Sequence, residues 1–362
     1  MAIRGMEWLA VRTRIVPVGL LPFLMMACLA CQHGGSGLDG CLYWMDEPAR
    51  QWPAEEWGRQ VEYMRRAGFR HVIMSGPSYD VLTEAADARL VPFDHFMNAS
   101  RGTGLRVYLS LWSHPQWYGR WDLAEELDTN ASVIARLTER YGRHPNFAGW
   151  YIPHEIYVMW DDQARYMREL YAGLSRMCKA ATADKLVVLS PFFILDRKGY
   201  LGDFRFAEPD EYEDFWADLL AATQIDVVAL QDSGEHLSCY SLDDRRPFLA
   251  AMRRACTRTG RRLWINIETG ELHVDGLEAY AHRFGRKTHV NDPRTQSDWR
   301  AVPPDKLRDK IRLAHEFSRT TITWGYQQYW DPMRGAEPRS IYDAYRGREL
   351  ERIGLEPQPR PR

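Results

Sequence analysis

Ala148-Gly-Trp-Tyr-Ile-Pro-His-Glu155 and Arg262-Leu-Trp-Ile-Asn-Ile-Glu268 decide how this chain reads. Each is a short apolar run of the kind a strand buried on both faces requires, and each closes on a carboxylate. Period-two alternation puts Gly149, Tyr151, Pro153 and Glu155 on one face of the first, and Trp264, Asn266 and Glu268 on one face of the second. A strand and a helix recurring roughly every forty residues would set the two runs three strands apart.

Six further apolar runs fit the same alternation: Gly40–Met45, His71–Gly76, Arg106–Trp112, Lys185–Phe193, Asp226–Asp232 and Thr320–Tyr326. Amphipathic segments separate them. Pro53–Ala67 has Pro at its first turn, Glu55 and Glu56 near its positive end, and Gly68 as a stop. Ala131–Tyr141, Asp161–Ala181, Asp210–Ala222, Leu242–Thr259, Asp305–Phe317 and Ser340–Ile353 are the other clear ones, and the helix around Asp80–Ala99 is weaker. Eight alternations without a break in composition predict an α/β chain, a single (β/α)8 TIM barrel over residues 38–355. The alternative is an open doubly wound sheet, but no Gly-x-Gly-x-x-Gly follows the first strand, so no dinucleotide is expected. Tyr200–Pro209 and Gly270–Pro304 are long loops at the end where such a barrel builds its site.

The 362 residues are 45% hydrophobic, enough for one large core. A formal net charge of −2 gives no basic field for nucleic acid. Residues 1–31 read as a signal peptide, with Arg4, Arg12 and Arg14 before the apolar run Ile15–Ala30. Leu29-Ala30-Cys31 followed by Gln-His-Gly-Gly-Ser-Gly resembles a bacterial lipoprotein signal, with Cys31 as the lipid attachment point and 32–37 as a flexible tether. A cleaved secretory signal and a retained anchor remain as alternatives. The expectation is an exported, periplasmic or cell-envelope protein held at the membrane by its N-terminus, with a disordered tail at 356–362. Cys41, Cys178, Cys239 and Cys256 contain no CxxC pair, so a zinc site is not expected. Buried thiols are the plain reading, and export would permit a Cys239–Cys256 bridge.

In a barrel the C-terminal strand ends converge, so Glu155 and Glu268 would share one cavity. Two carboxyl groups there suit glycoside hydrolysis, with one acid/base and one nucleophile. The plainer alternative makes each a helix cap or ion-pair partner. Around them, Gln231-Asp232 could hold hydroxyls, orient a carboxylate, bind a cation or begin a turn, and Asn266 could hydrogen-bond a carboxylate or a sugar. Trp44, Trp112, His114, Tyr326 and Tyr329 could wall subsites, with rim packing as the alternative. Tyr151 lies below Glu155, and His154 flanks it. No Gly-x-Ser-x-Gly or His-Glu-x-x-His occurs, so an esterase or zincin reading is weak, and neither a metal nor a cofactor is expected.

Gly149-Trp-Tyr-Ile-Pro-His-Glu155, Ala229-Leu-Gln-Asp-Ser-Gly234 and Trp264-Ile-Asn-Ile-Glu268 together resemble a bacterial family of TIM-barrel proteins of unassigned function. That family is related to the retaining glycoside hydrolases with catalytic Glu on strands four and seven. The resemblance covers about Leu38 to Pro332. It implies Glu155 as acid/base and Glu268 as nucleophile, acting on a poly- or oligosaccharide. In that superfamily Asn usually precedes the acid/base and contacts the sugar 2-hydroxyl, and here His154 stands in its place. The rival expectation is therefore a non-catalytic glycan-binding barrel, and a third is a metal-dependent hydrolase.

Overall fold

The computed structural model describes residues 37–352 apart from Asp203, Gly234 and Glu235. The signal segment with Cys31, nearly all of the tether and the 356–362 tail lie outside the described residues. Within them, no helix is long and apolar enough to cross a membrane.

Ten strands occur in chain order: β1 Gly40–Trp44, β2 His71–Ser75, β3 Arg106–Ser110, β4 Phe147–Ile152, β5 Leu186–Leu189, β6 Val227–Gln231, β7 Arg262–Glu268, β8 Gly270–Leu272, β9 Trp299–Ala301 and β10 Thr321–Trp324. Eight of them close a parallel barrel in the order β1-β10-β7-β6-β5-β4-β3-β2, with helices in the connections. This is the (β/α)8 architecture, and the open sheet is excluded.

Alternation along each strand divides the core in two. Outward-facing Cys41, Tyr43, Val72, Met74, Val107, Leu109, Trp150, Ile152, Leu230 and Ile267 meet the apolar stripes of the helices. Inward-facing Leu42, Ile73, Tyr108, Tyr151, Val188, Ala229, Trp264 and Ile322 fill the barrel, with Trp44 and Trp324 half-buried against them. The interior is thus packed rather than hollow. β4 carries Gly149 for a steric reason, since a Cβ there would lie 2.0 Å from the Leu186 carbonyl oxygen across the β4–β5 pair.

Strand ends depart from expectation where proline or glycine intervenes. β4 stops at Ile152 because Pro153 offers no N–H to the ladder, and Glu155 N donates to Pro153 O at 2.9 Å in the turn beyond. β5 stops at Leu189, two residues before Pro191, and β10 stops at Trp324, before Gly325 at φ +89°. The helix expected from Ala131 starts earlier, at Leu123, where the Asp122 carboxylate caps Glu125 N. The 270–304 segment is no plain loop. β8 and β9 pair antiparallel, a helix spans Leu277–Phe284, and Leu237, Leu272, Val274, Tyr280, Phe284 and Val290 make a small core of their own. No disulfide joins Cys239 to Cys256, and Cys41, Cys178 and Cys256 are buried.

Candidate active site

Strand register carries the site. Gln231 of β6 aligns with Asn266 of β7, and Trp324 of β10 aligns with Glu268 of β7, so these inward positions rise together to the C-terminal mouth. Glu155 reaches the same place from the turn after β4.

Glu155 is held at both oxygens. The Tyr151 hydroxyl donates to Oε1, and Gln231 Nε2 donates to Oε2 at 2.7 Å. Gln231 is fixed in turn by Ser190 O at 3.1 Å, and Asn266 Nδ2 donates to Ser190 Oγ at 3.0 Å. Burial pushes the Glu155 carboxyl up to about 7, the Glu268 carboxylate adds to that rise, and the two hydrogen bonds and His236 oppose it. Burial and the neighbouring Glu155 charge also hold the Tyr151 phenol well above its usual range, which keeps it a donor.

Glu268 has the opposite setting. It is 1% exposed, yet neither carboxylate oxygen has a hydrogen-bond partner among the described residues. His236 Nδ1 approaches Oε2 at 3.3 Å without hydrogen-bond alignment. A carboxylate buried in this way is costly unless its surroundings supply charge. They do so through the backbone. Asp232 Oδ1 accepts from Glu268 N at 3.2 Å, and Lys310 Nζ donates to Glu268 O at 2.5 Å. Asp232 also pairs with Lys310 at 3.0 Å and Arg245 at 3.2 Å, all three buried. Two cations thus face one carboxylate, and the surplus positive charge lies against the Glu268 peptide. Burial alone would push the Asp232 carboxyl up, but Lys310 and Arg245 overcome it and hold it below its usual range.

The wall beside Glu268 is aromatic. Trp324 stacks on His236 with centroids 5.4 Å apart and meets Trp44 edge-on at 6.1 Å, and Trp299 of β9 lies 5.5 Å from His236. Trp44 is anchored by a two-bond amide clamp from Gln327, each bond 2.9 Å. Tyr329 packs over Gly270, where a Cβ would come within 2.1 Å of its ring. Burial, with the Glu268 charge adding to it, pushes the Tyr329 phenol up to about 12.

The mouth therefore brings together Glu155, Glu268, Tyr151, Gln231, Asn266, Trp44 and Tyr329 from the sequence expectation. Six other residues are engaged in different contacts. His154 is fully buried, with Nε2 3.1 Å from Glu126 Oε2 and its ring against Trp117, so it turns away from the mouth. Asp232 gives its oxygens to Glu268 N, Lys310 and Arg245 rather than to a ligand. Tyr326 is buried in the outer layer, accepts from Gln60 Nε2 and packs on Phe69 and Trp330, so it does not wall a subsite at the mouth. Tyr43, on the outward face of β1, donates to Asp331. His114 is engaged within its own loop by Gln116 N and Arg120, and the backbone of Trp112 is clamped by Asn130. Gln231 orients a carboxylate, that of Glu155, whereas Asn266 serves differently from expectation and grips Ser190. His236, Trp299 and Lys310 were not singled out from sequence. His236 offered one cue, a histidine four residues after Asp232 at the end of an apolar strand, whereas Lys310 reads as an ordinary helix lysine. Among the described residues no cluster of three or more His, Cys, Asp or Glu is placed to hold a metal.

With this geometry in place, comparison locates the chain among known folds. The profile of a family described as "Domain of unknown function (DUF4434)" matches residues 35–335. A crystal structure of a putative alpha-L-fucosidase from Bacteroides thetaiotaomicron superposes with a TM-score of 0.65 at 20% identity, covering 94% of this chain and 99% of that one. A structure described as a glycoside hydrolase gives 0.55 at 12% identity, covering 87% and 69%. At such identities the likeness is one of fold. No curated protein matches the chain.

Proposed function

We propose that this chain, which belongs to the DUF4434 family over residues 35–335, is a glycoside hydrolase acting on a poly- or oligosaccharide by retaining double displacement. The observation that carries this reading is the unlike pair of carboxyl groups at the mouth. Glu155 is pushed up to about 7, where it can hold a proton near neutrality, while Glu268 lies bare of hydrogen bonds beside surplus positive charge. Environments that split two carboxyl groups in this way assign an acid and a nucleophile. The descriptions of the fold neighbours, a putative alpha-L-fucosidase and a glycoside hydrolase, support the same substrate class.

In the first step Glu155 gives its proton to the glycosidic oxygen as a Glu268 oxygen attacks the anomeric carbon. The aglycone departs as an alcohol and a glycosyl ester remains on Glu268. In the second, water gives a proton to Glu155 while its oxygen takes the anomeric carbon, and Glu268 leaves as carboxylate. Tyr151 and Gln231 orient Glu155 throughout. The Trp44–Trp324–His236 wall offers apolar faces for a sugar ring.

The burial of His154 against Glu126 favours one other reading. The position before Glu155 then presents no side chain to a sugar, as a non-catalytic glycan-binding barrel would allow. A glycan panel with wild type, Glu155→Gln and Glu268→Gln separates the two. Reducing-end release by wild type alone supports hydrolysis, and binding by all three proteins without release supports the rival.

A further inference from the structure

The connections from helix to strand meet at the N-terminal floor of the barrel, opposite the mouth. Charge there is one-sided. Arg70, Arg101, Arg106, Arg143, Arg262 and Arg319 lie in these connections or open the strands that follow, and all six are exposed. The acids of the same connections are already matched: Asp39 with Arg70, Asp184 with Lys185 and Asp226 with Lys179. The other five arginines form no ion pair with a described residue, in a chain whose formal net charge is −2.

Helix C-termini also end on this floor and favour cations within their last turn. That does not account for Arg106 and Arg262, which are the first residues of β3 and β7. Nor do the helix ends cancel the field. Burial, then Arg106, Arg70 and Arg262, hold the His71 imidazole down to about 3, and burial with Arg101 lowers His144.

We infer that this floor is a docking surface for an anionic phospholipid bilayer. The connections expose no Phe, Tyr or Trp, since Phe69, Tyr141 and Phe147 are buried, so the floor lacks the stacking platform that single-stranded nucleic acid uses. Gly37 and Leu38 are fastened at this same end, Gly37 O accepting from Thr321 Oγ1 and Leu38 N donating to Tyr345 Oη, each at 2.8 Å. Whatever precedes Gly37 joins the barrel here, and the apolar run 15–30 precedes it. Where the 15–30 run enters a bilayer, the floor adds the second, polybasic signal that stable attachment needs. Docked in this way, the barrel points Glu155 and Glu268 away from the bilayer.

The test is flotation of the purified full chain with vesicles of phosphatidylcholine alone and with about a third phosphatidylglycerol. The difference between wild type and the floor variants on the anionic vesicles reports the floor, because the 15–30 run and the flanking Arg4, Arg12 and Arg14 are common to all of them. Wild type is expected to favour the anionic vesicles, less so as salt rises. Arg106→Gln and Arg262→Gln singly should each weaken that preference about fivefold, and the quintuple variant R101Q/R106Q/R143Q/R262Q/R319Q should weaken it by at least about a hundredfold. The single variants keep the test decisive if the quintuple fails to fold. Equal binding to both vesicles, or arginine variants that bind as wild type does, would overturn the proposal. So would arginine-dependent binding to a soluble polyanionic glycan with none to the vesicles.

Discussion

Glu155→Gln should stabilise this protein in alkali and not in acid. The wild-type carboxyl is pushed up to about 7 by burial, from an ordinary value of 4.5. A folded-state value above the unfolded one means that the native state binds the proton more tightly. The stability linked to that proton is complete below about pH 4.5 and is lost as pH rises through 7. A rise of this size corresponds to at most about 3 kcal/mol, and partial exposure at the mouth lowers the realised figure to about 2 kcal/mol. Glutamine keeps the shape and never ionises, so it escapes this loss. It does disturb the Tyr151 and Gln231 contacts, but by the same amount at every pH. Urea unfolding of both proteins at pH 5 and pH 8.5 isolates the effect, with the variant gaining about 2 kcal/mol on wild type between the two. A gap that does not change with pH would refute the assignment of a strained, proton-holding carboxyl.

Asp232→Ala strands Lys310 and Arg245 in a buried site. It should cost about 3–5 kcal/mol in urea unfolding at pH 7, and a loss under 1 kcal/mol would mean that the triad is not the clamp described. Because the Asp232 carboxyl is held below its usual range, its contribution is present above about pH 4 and falls away below it, so wild type and variant should converge in acid. Tyr151→Phe removes one of the two donors that favour ionised Glu155, so the alkaline limb of kcat/KM should move up by about one pH unit, and an unmoved limb would exclude that role. Gly270→Ala places a methyl against Tyr329 and should weaken glycan binding more than it lowers the melting temperature.

The barrel was readable because its signals are local. Apolar runs such as Val227–Leu230 of β6 and Leu263–Ile265 of β7 need two buried faces, and the segments between them repeat a helical stripe. The inward set Tyr151, Trp264, Asn266 and Glu268 followed from period two alone, because a strand fixes which side chains share a face. What could not be read were contacts that alternation does not control. His154 lies past Pro153, where the strand has ended and the pattern no longer sets direction, and Glu126 from a distant helix captures it. Tyr326 follows Gly325, whose left-handed backbone swings the next turn into the outer layer. Lys310 sits on a helix whose Arg308 and Arg312 are ordinary surface groups, and only its contacts with Asp232 and the Glu268 carbonyl explain its burial. The 270–304 segment lacked periodicity because its small core is assembled from three separate stretches of chain.

The most direct measurement is a glycan panel read by reducing-end release and by NMR of the product anomer, with wild type, Glu155→Gln and Glu268→Gln in parallel. The account predicts release by wild type with retention of anomeric configuration, and no turnover by either folded variant. Turnover by Glu268→Gln at the wild-type rate would contradict it, as would an inverted product.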